Sequence, residues 1–198
     1  MKFVLATQNP KKLKEMSAIL GELGVEVVSE ADLGVKIEVE ETGETFAENS
    51  LLKAKAVMEA TNLPAIADDS GLCVDALNGG PGVYSARFGG EGLDDTGRYR
   101  LLLQMLHGQA DRRAHFHTTI TCAFPNGDVL QDDGEVEGTI AFAPMGENGF
   151  GYDPVFFVPD KRKTFAQLTA EEKSEISHRG KALRAFKETL KNYLAEHQ

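Results

Sequence analysis

The chain has 198 residues, a formal charge of −10, and 26% charged residues against 41% hydrophobic ones. That balance reads as one soluble globular domain, 1–198, and excludes a disordered or low-complexity chain. The acidic excess repels polyanions and excludes a nucleic-acid groove, and no apolar run approaches the ~18 residues that a membrane span requires.

The segment KFVLAT predicts a short buried strand, too short for the apolar core of a signal peptide. NPKKLKEMSAILGELG then predicts a helix with Leu13, Met16, Leu20 and Leu23 on one face. Asn9 is its expected N-cap, Pro10 suits the first helical position, and Gly24 is its expected stop. VEVVS follows as a second strand, and EVEETGETF as an acidic loop. Thr45 and Glu48 form a capping box for the next helix, whose expected apolar stripe is Ala47, Leu51, Ala54 and Met58. LPAIADDSGLCVDAL predicts strand, break, strand, with the paired carboxylates Asp68 and Asp69 at the break.

GGPGVYSARFGGEG is expected as loop, and RYRLLLQML lies on a helix. AHFHTTITCAF and DVLQDDGEVEGTIA flank Pro125-Asn126-Gly127 and should pair as a hairpin. DPVFFV predicts another strand, Thr169 and Glu172 cap a short helix, and Ser177 opens a last one with Leu183, Phe186, Leu190 and Leu194 inward. Strands alternating with helices, then a hairpin, indicate an α/β domain with a mixed sheet. Cys73 and Cys122 are far apart and match no zinc spacing, which suits a reduced, cytoplasmic chain.

Four stretches can carry chemistry. Thr7-Gln8-Asn9-Pro10-Lys11-Lys12 joins a strand end to a helix start, where backbone amides and the helix dipole favour phosphate. A capped helix with solvated lysines fits the same residues. Glu40, Glu41, Asp68 and Asp69 are hard oxygen donors of the kind that hold Mg²⁺, although solvated loop acids and an Asp-Ser-Gly turn give the same letters. Side chains alternate along a strand, so Asp68 and Asp69 should point apart. Gly149-Phe150-Gly151-Tyr152-Asp153-Pro154 offers aromatics on which a base can stack, or rings that fill a core edge. EEKSEISHRG places Lys173, His178 and Arg179 near a helix start, where cations are locally disfavoured unless a ligand supplies acceptors. His115 and His117 share a strand face and read as packing.

In this order, and across nearly the whole chain, the Thr7 loop, Glu40-Glu41-Thr42-Gly43, ADDSGL, GYD and SHR resemble the inosine triphosphate pyrophosphatase family, the dITP/XTP pyrophosphatases that clear non-standard purine nucleotides. The resemblance implies an α/β fold of two lobes around an elongated mixed β-sheet with flanking helices and a cleft between them. It also implies a homodimer, Mg²⁺, and hydrolysis of ITP, dITP or XTP to the monophosphate and pyrophosphate. By position, Thr7, Gln8, Asn9, Lys11 and Lys12 would cradle the phosphates. Asp69 would be general base and metal-site carboxylate, with Glu40 preferred to Glu41 as the second acid, and Ser70 a substrate contact. Phe150, Gly151, Tyr152 and Asp153 would hold the base, with Lys173, His178 and Arg179 closing over it. Bacterial members often carry Gly where this chain has Gln8, so a positive φ there would strain this loop. A nucleotide sensor without turnover, or a house-cleaning hydrolase of other modified nucleotides, are the alternative readings.

Overall fold

The computed structural model describes residues 1–197. Its strands are β1 Lys2–Leu5, β2 Glu26–Ser29, β3 Ala65–Val74, β4 Gly80–Pro81, β5 Arg113–Ala123, β6 Val129–Ile140, β7 Phe156–Val158 and β8 Lys163–Thr164. Its α-helices are α1 Pro10–Gly21, α2 Phe46–Thr61, α3 Asp95–Met105, α4 Ala170–Ile176 and α5 His178–Glu196. Among the described residues the strands form one sheet in the order β2-β1-β3-β5-β6-β7-β8, with β4 paired on β3. β1 runs parallel to both β2 and β3, whereas β4 on β3, and β7 on β6 and β8, are antiparallel. The fold is therefore α/β with a mixed sheet, as the alternation of patterns indicates.

The chain divides into two compact units. One comprises Met1–Asp69, Thr118–Gly134 and residues 182–197; the other comprises Ser70–His117 and Glu135–Lys181. In the first, Phe3 and Leu5 of β1, Met16 and Leu20 of α1, Ile120 and Cys122 of β5, and Leu183, Phe186 and Leu190 of α5 form one buried cluster. Each large apolar side chain so buried contributes about 1.5–3 kcal/mol, which outweighs the weak intrinsic helicity of such segments. α2 approaches the sheet through small residues, Ala54 meeting Ala67 and Ala123. The second unit is built on Leu72, Leu102, Leu106, Val136, Phe156 and Phe165.

The local signals for several termini are met atom by atom. Asn9 caps α1 by accepting from the Lys11 and Lys12 amides at 3.0 and 3.4 Å. Thr169 caps α4 through the Glu172 amide, and the Ser177 hydroxyl accepts the Gly180 amide at 3.0 Å at the start of α5. The β5–β6 hairpin closes with Phe124 N–H on Asp128 O and Gly127 N–H on Phe124 O, Gly127 having φ +97°. Tyr193 of α5 packs on Phe124 and donates its hydroxyl to Asp128 at 2.7 Å.

Six expectations change, one being that the Gly-rich stretch expected as loop carries β4, paired on β3, and a 3-10 helix over Gly82–Arg87. β3 is one continuous strand, and Asp68 and Asp69 lie inside it at 4% and 7% exposure rather than at a break. A strand tolerates them because Lys12 and Lys53 supply counter-charges and the ladder satisfies the backbone. α1 ends at Gly21, and Gly24 takes a left-handed turn (φ +71°) beyond it. The buried face of α2 is Asn49, Ser50, Ala54 and Val57, turned from the apolar stripe because Ser50 finds a buried hydroxyl partner in Thr121 at 2.6 Å. The capping box at Thr45 is half formed: Thr45 accepts the Glu48 amide, but Glu48 accepts from Glu44 N. Gln8 is not among the residues at positive φ, so the first loop carries no such strain.

Candidate active site

In the first unit, the end of β1 and the start of α1 meet the middle of β3 and one face of α2. The turn is locked by its own side chains, with Asn9 N–H donating to Thr7 Oγ1 at 3.2 Å. Asn9 occupies the first-turn amides and Pro10 has none, so charge rather than free backbone N–H groups dominates here. Lys12 Nζ lies 2.7 Å from Asp68 Oδ2. Lys53 Nζ, from α2, lies 3.4 Å from Asp69 Oδ1 and 3.2 Å from Glu41 Oε1. Neighbouring carboxylates on β3 thus take different lysines, as side-chain alternation requires. Thr118 Oγ1 donates to the Asp69 carbonyl at 3.1 Å and fixes the strand at that residue.

A cavity of about 440 Å³ lies in this unit, lined by Thr7, Asn9, Lys12, Glu41, Lys53 and Asp68 among others. That volume suits a small polar ligand. Burial, opposed by Lys53 and reinforced by Glu41 and Asp68, raises the Asp69 carboxyl to about 6. Burial lowers the Lys53 amine, but Asp69, Asp68 and Glu41 outweigh it and its pKa ends raised. The pair is a carboxylate poised near neutrality beside a firmly charged ammonium.

Asp69 Oδ2 is buried and has no hydrogen-bond partner. An orphaned carboxylate oxygen is costly unless a ligand takes it. Among the described residues no group of three or more His, Cys, Asp or Glu stands ready to hold a metal. Mg²⁺ needs only one or two carboxylates when water and phosphate complete its shell, so Asp69 and Glu41 fit it. Glu40, the acid preferred on sequence, is exposed, whereas Glu41 is held by Lys53 and lines the cavity. The loop bearing Glu41 is anchored by buried Asn49, whose Oδ1 accepts Gly43 N–H at 2.7 Å. A Cβ on Gly43 would meet that same oxygen at 2.6 Å, which explains the glycine.

The second unit holds the other candidates. Gly149 and Gly151 adopt φ +73° and +62°, and between them the ring of Phe150 is 37% exposed. Asp153 is 3% exposed, accepts Phe150 N–H at 3.1 Å, and takes Lys173 Nζ at 2.5 Å. Lys173 Nζ and Arg179 Cζ lie 4.9 and 5.6 Å from the Phe150 ring centre. His178, 5% exposed, stacks on Phe116 with centroids 4.7 Å apart, and Arg179 is 7% exposed. Tyr152 is not a free platform: it is buried and its hydroxyl donates to Ser85 O at 2.7 Å.

The structure therefore brings Thr7, Asn9, Lys12, Asp68 and Asp69 together in one unit and Phe150, Asp153, Lys173 and Arg179 together in the other. Ser70 follows Asp69 in β3 and is half-buried; Gln8 and Lys11 are exposed. Lys53 was not legible as a site residue. Its signal is position: it stands three and four residues after Ser50 and Asn49, at the edge of the buried face of α2. A Cβ on Gly149 would meet Asp153 Oδ2 at 2.0 Å in a left-handed backbone. Gly149→Ala should cost about 1–3 kcal/mol in urea unfolding by straining this corner; an unchanged midpoint would contradict it.

Comparison with known proteins gives a consistent answer. The Ham1 family model matches residues 3–189. The dITP/XTP pyrophosphatase of Thermus thermophilus is 51% identical over 97% of this chain and 93% of its own length, and that of Bacillus subtilis is 48% identical over 94% and 96%. Among solved structures, the Staphylococcus aureus Ham1 protein matches with TM-score 0.91 and 42% identity over 98% of this chain and all of that one. The sheet, the carboxylate–lysine set and these matches define a Ham1-type α/β protein. The chain belongs to the Ham1 family.

Proposed function

We propose that the protein is a nucleoside-triphosphate pyrophosphatase that hydrolyses the non-standard purine nucleotides ITP, dITP and XTP to monophosphate and pyrophosphate. The observation that carries this reading is Asp69, a buried carboxylate with one orphaned oxygen beside Lys53 and next to a cavity lined by Lys12. Relatives of about 50% identity bear the name dITP/XTP pyrophosphatase, which supports the substrate class.

Phosphoryl transfer asks the protein for positioning and charge neutralisation. Asp69, once ionised, orients a water and takes its proton as the oxygen attacks phosphorus in line. Lys12 and Lys53 place two ammonium charges on the phosphate oxygens, and the Thr7 hydroxyl can donate a further hydrogen bond. Asp69 and Glu41 would hold Mg²⁺, which supplies electrostatic stabilisation of the phosphate oxygens. In the second unit Phe150 gives a face for the base, while Arg179 and His178 offer donors to a 6-keto oxygen.

The direct test is incubation with ITP and Mg²⁺, followed by quantitation of IMP and pyrophosphate. Inosine diphosphate with free phosphate as products, or no turnover, would overturn the reading. Metal binding has its own signature. Mg²⁺ should raise the parent's unfolding midpoint by a few degrees, by mass action on the native state, and should leave Asp69→Asn unmoved. An equal rise in both would remove Asp69 from the metal site.

We further propose that the protein is a homodimer, supported by the family resemblance, and cytoplasmic, supported by two cysteines that are both free and buried. No helix among the described residues is long and apolar enough to cross a membrane. Light scattering at micromolar concentration should give twice the chain mass; a monomer mass would refute the dimer.

A further inference from the structure

The chain at Phe150 is flanked by two left-handed glycines, Gly149 and Gly151. Such residues are conformationally permissive, so the local sequence does not fix where the exposed ring points. Because peptide units are planar, the φ and ψ of Phe150 set the direction in which its Cα–Cβ bond leaves the backbone, and so where the ring is carried and which side-chain rotamers are open to it. The plane of its own amide turns with φ, and that N–H donates to Asp153 Oδ2 at 3.1 Å. The plane of the next amide, Gly151 N–H, turns with ψ, and it donates to Asp95 Oδ2 at 2.9 Å. Two carboxylates thus hold the two dihedrals of one residue.

The two clamps differ in origin. Asp153 belongs to the loop and is ion-paired with Lys173. Asp95 stands 56 residues away, in the first turn of α3 behind its N-cap Asp94. A negative charge is favoured at that end of a helix. Its other oxygen, Oδ1, lies 3.6 Å from Arg98 NH1 one turn on. One oxygen of the carboxylate thus faces Arg98 and the other accepts the Gly151 N–H.

We propose that Asp95 is a positioning residue for base selection: through the Gly151 amide it sets the ring of Phe150, the face on which the base stacks. This rests on the base-holding role of Phe150 proposed above. Asp95 is 57% exposed, so water can replace it at the amide. Its loss therefore loosens the ring without unfolding the unit.

The test compares the parent, Asp95→Ala and Asp95→Asn, the last keeping an acceptor for the amide. ITP turnover by the parent is the first control, and its absence would overturn the functional reading itself. Hydrogen exchange of the peptide covering Phe150–Tyr152 then reads the clamp without any substrate. For Asp95→Ala we expect exchange at least several-fold faster, KM for ITP and the inhibition constant of IMP raised about 3- to 10-fold, and kcat within about 2-fold. Inhibition by pyrophosphate, which has no base, should be unchanged, and Asp95→Asn should recover most of each loss. Unchanged exchange would overturn the clamp. Faster exchange with unchanged KM and IMP affinity would overturn its role in holding the base. Equal weakening of IMP and pyrophosphate, or no recovery in Asp95→Asn at an unchanged unfolding midpoint, would overturn the positioning role as well.

Discussion

Asp69→Asn should lower kcat for ITP by at least ~10²-fold, within the range that loss of a general base produces. The substitution keeps the size of the side chain and one acceptor oxygen. It removes the charge that Lys53 faces at 3.4 Å and the oxygen that is buried without a partner. Burial, the largest cause, raises this carboxyl from 3.8 to about 6. Only the ionised form can accept a proton, so parent turnover should fall as the pH drops through the pKa. In the metal-free protein that value is about 6, and a bound divalent cation, favouring the ionised form, moves the acid limb lower. The asparagine variant, having nothing to titrate, should lose that limb. A purified variant with near-normal kcat and the same acid limb would show that another group is the base.

Arg179→Ala should lower kcat/KM for ITP by roughly 10- to 100-fold and for ATP far less, so that the ratio between them shrinks. Hypoxanthine presents a keto oxygen at position 6, where adenine presents an amino donor. Arg179 is 7% exposed, its guanidinium carbon 5.6 Å from the Phe150 ring centre. A permanently charged donor in so dry a setting gains from an acceptor and loses against another donor, at ~1–3 kcal/mol per unmade bond. At ~1.4 kcal/mol per decade that difference gives the expected ratio. Lys12→Ala is the control, since phosphates are common to both nucleotides and both should weaken alike. Equal losses for ITP and ATP in Arg179→Ala would move the residue from the base to the phosphates. The unfolding midpoint of each variant separates such losses from damage to α5.

The features legible in the sequence are those that near neighbours decide. Asn9 with Pro10, Thr169 with Glu172, and Ser177 before α5 satisfy helix-end amides within four residues, so their letters suffice. The hairpin at Pro125–Gly127 is equally local. The strand through Asp68 and Asp69 was not, because what lets two acids sit inside β3 is a pair of lysines far off in sequence. Lys12 is 56 residues from Asp68, and Lys53 is 16 from Asp69. The same distance hid Lys53, and it hid Asp95, whose partner amide is contributed by another loop. Glu40 and Glu41 are adjacent, and what separates them is that Glu41 lines the cavity while Glu40 is exposed.

The two cysteines have a use outside the chemistry. Both are free and buried, Cys122 within the first unit and Cys73 within the second. Burial pushes the Cys73 thiol up to about 11 and the Cys122 thiol further still. The thiolate is the reactive form and both side chains are buried, Cys122 fully, so labelling of either sulfur should be slow while its surroundings stay closed. Each modification event then reports an opening of the unit that holds it, and mass spectrometry of the labelled peptides tells the two apart. The native chain thus carries one intrinsic stability gauge per unit, able to rank their opening free energies without any introduced probe.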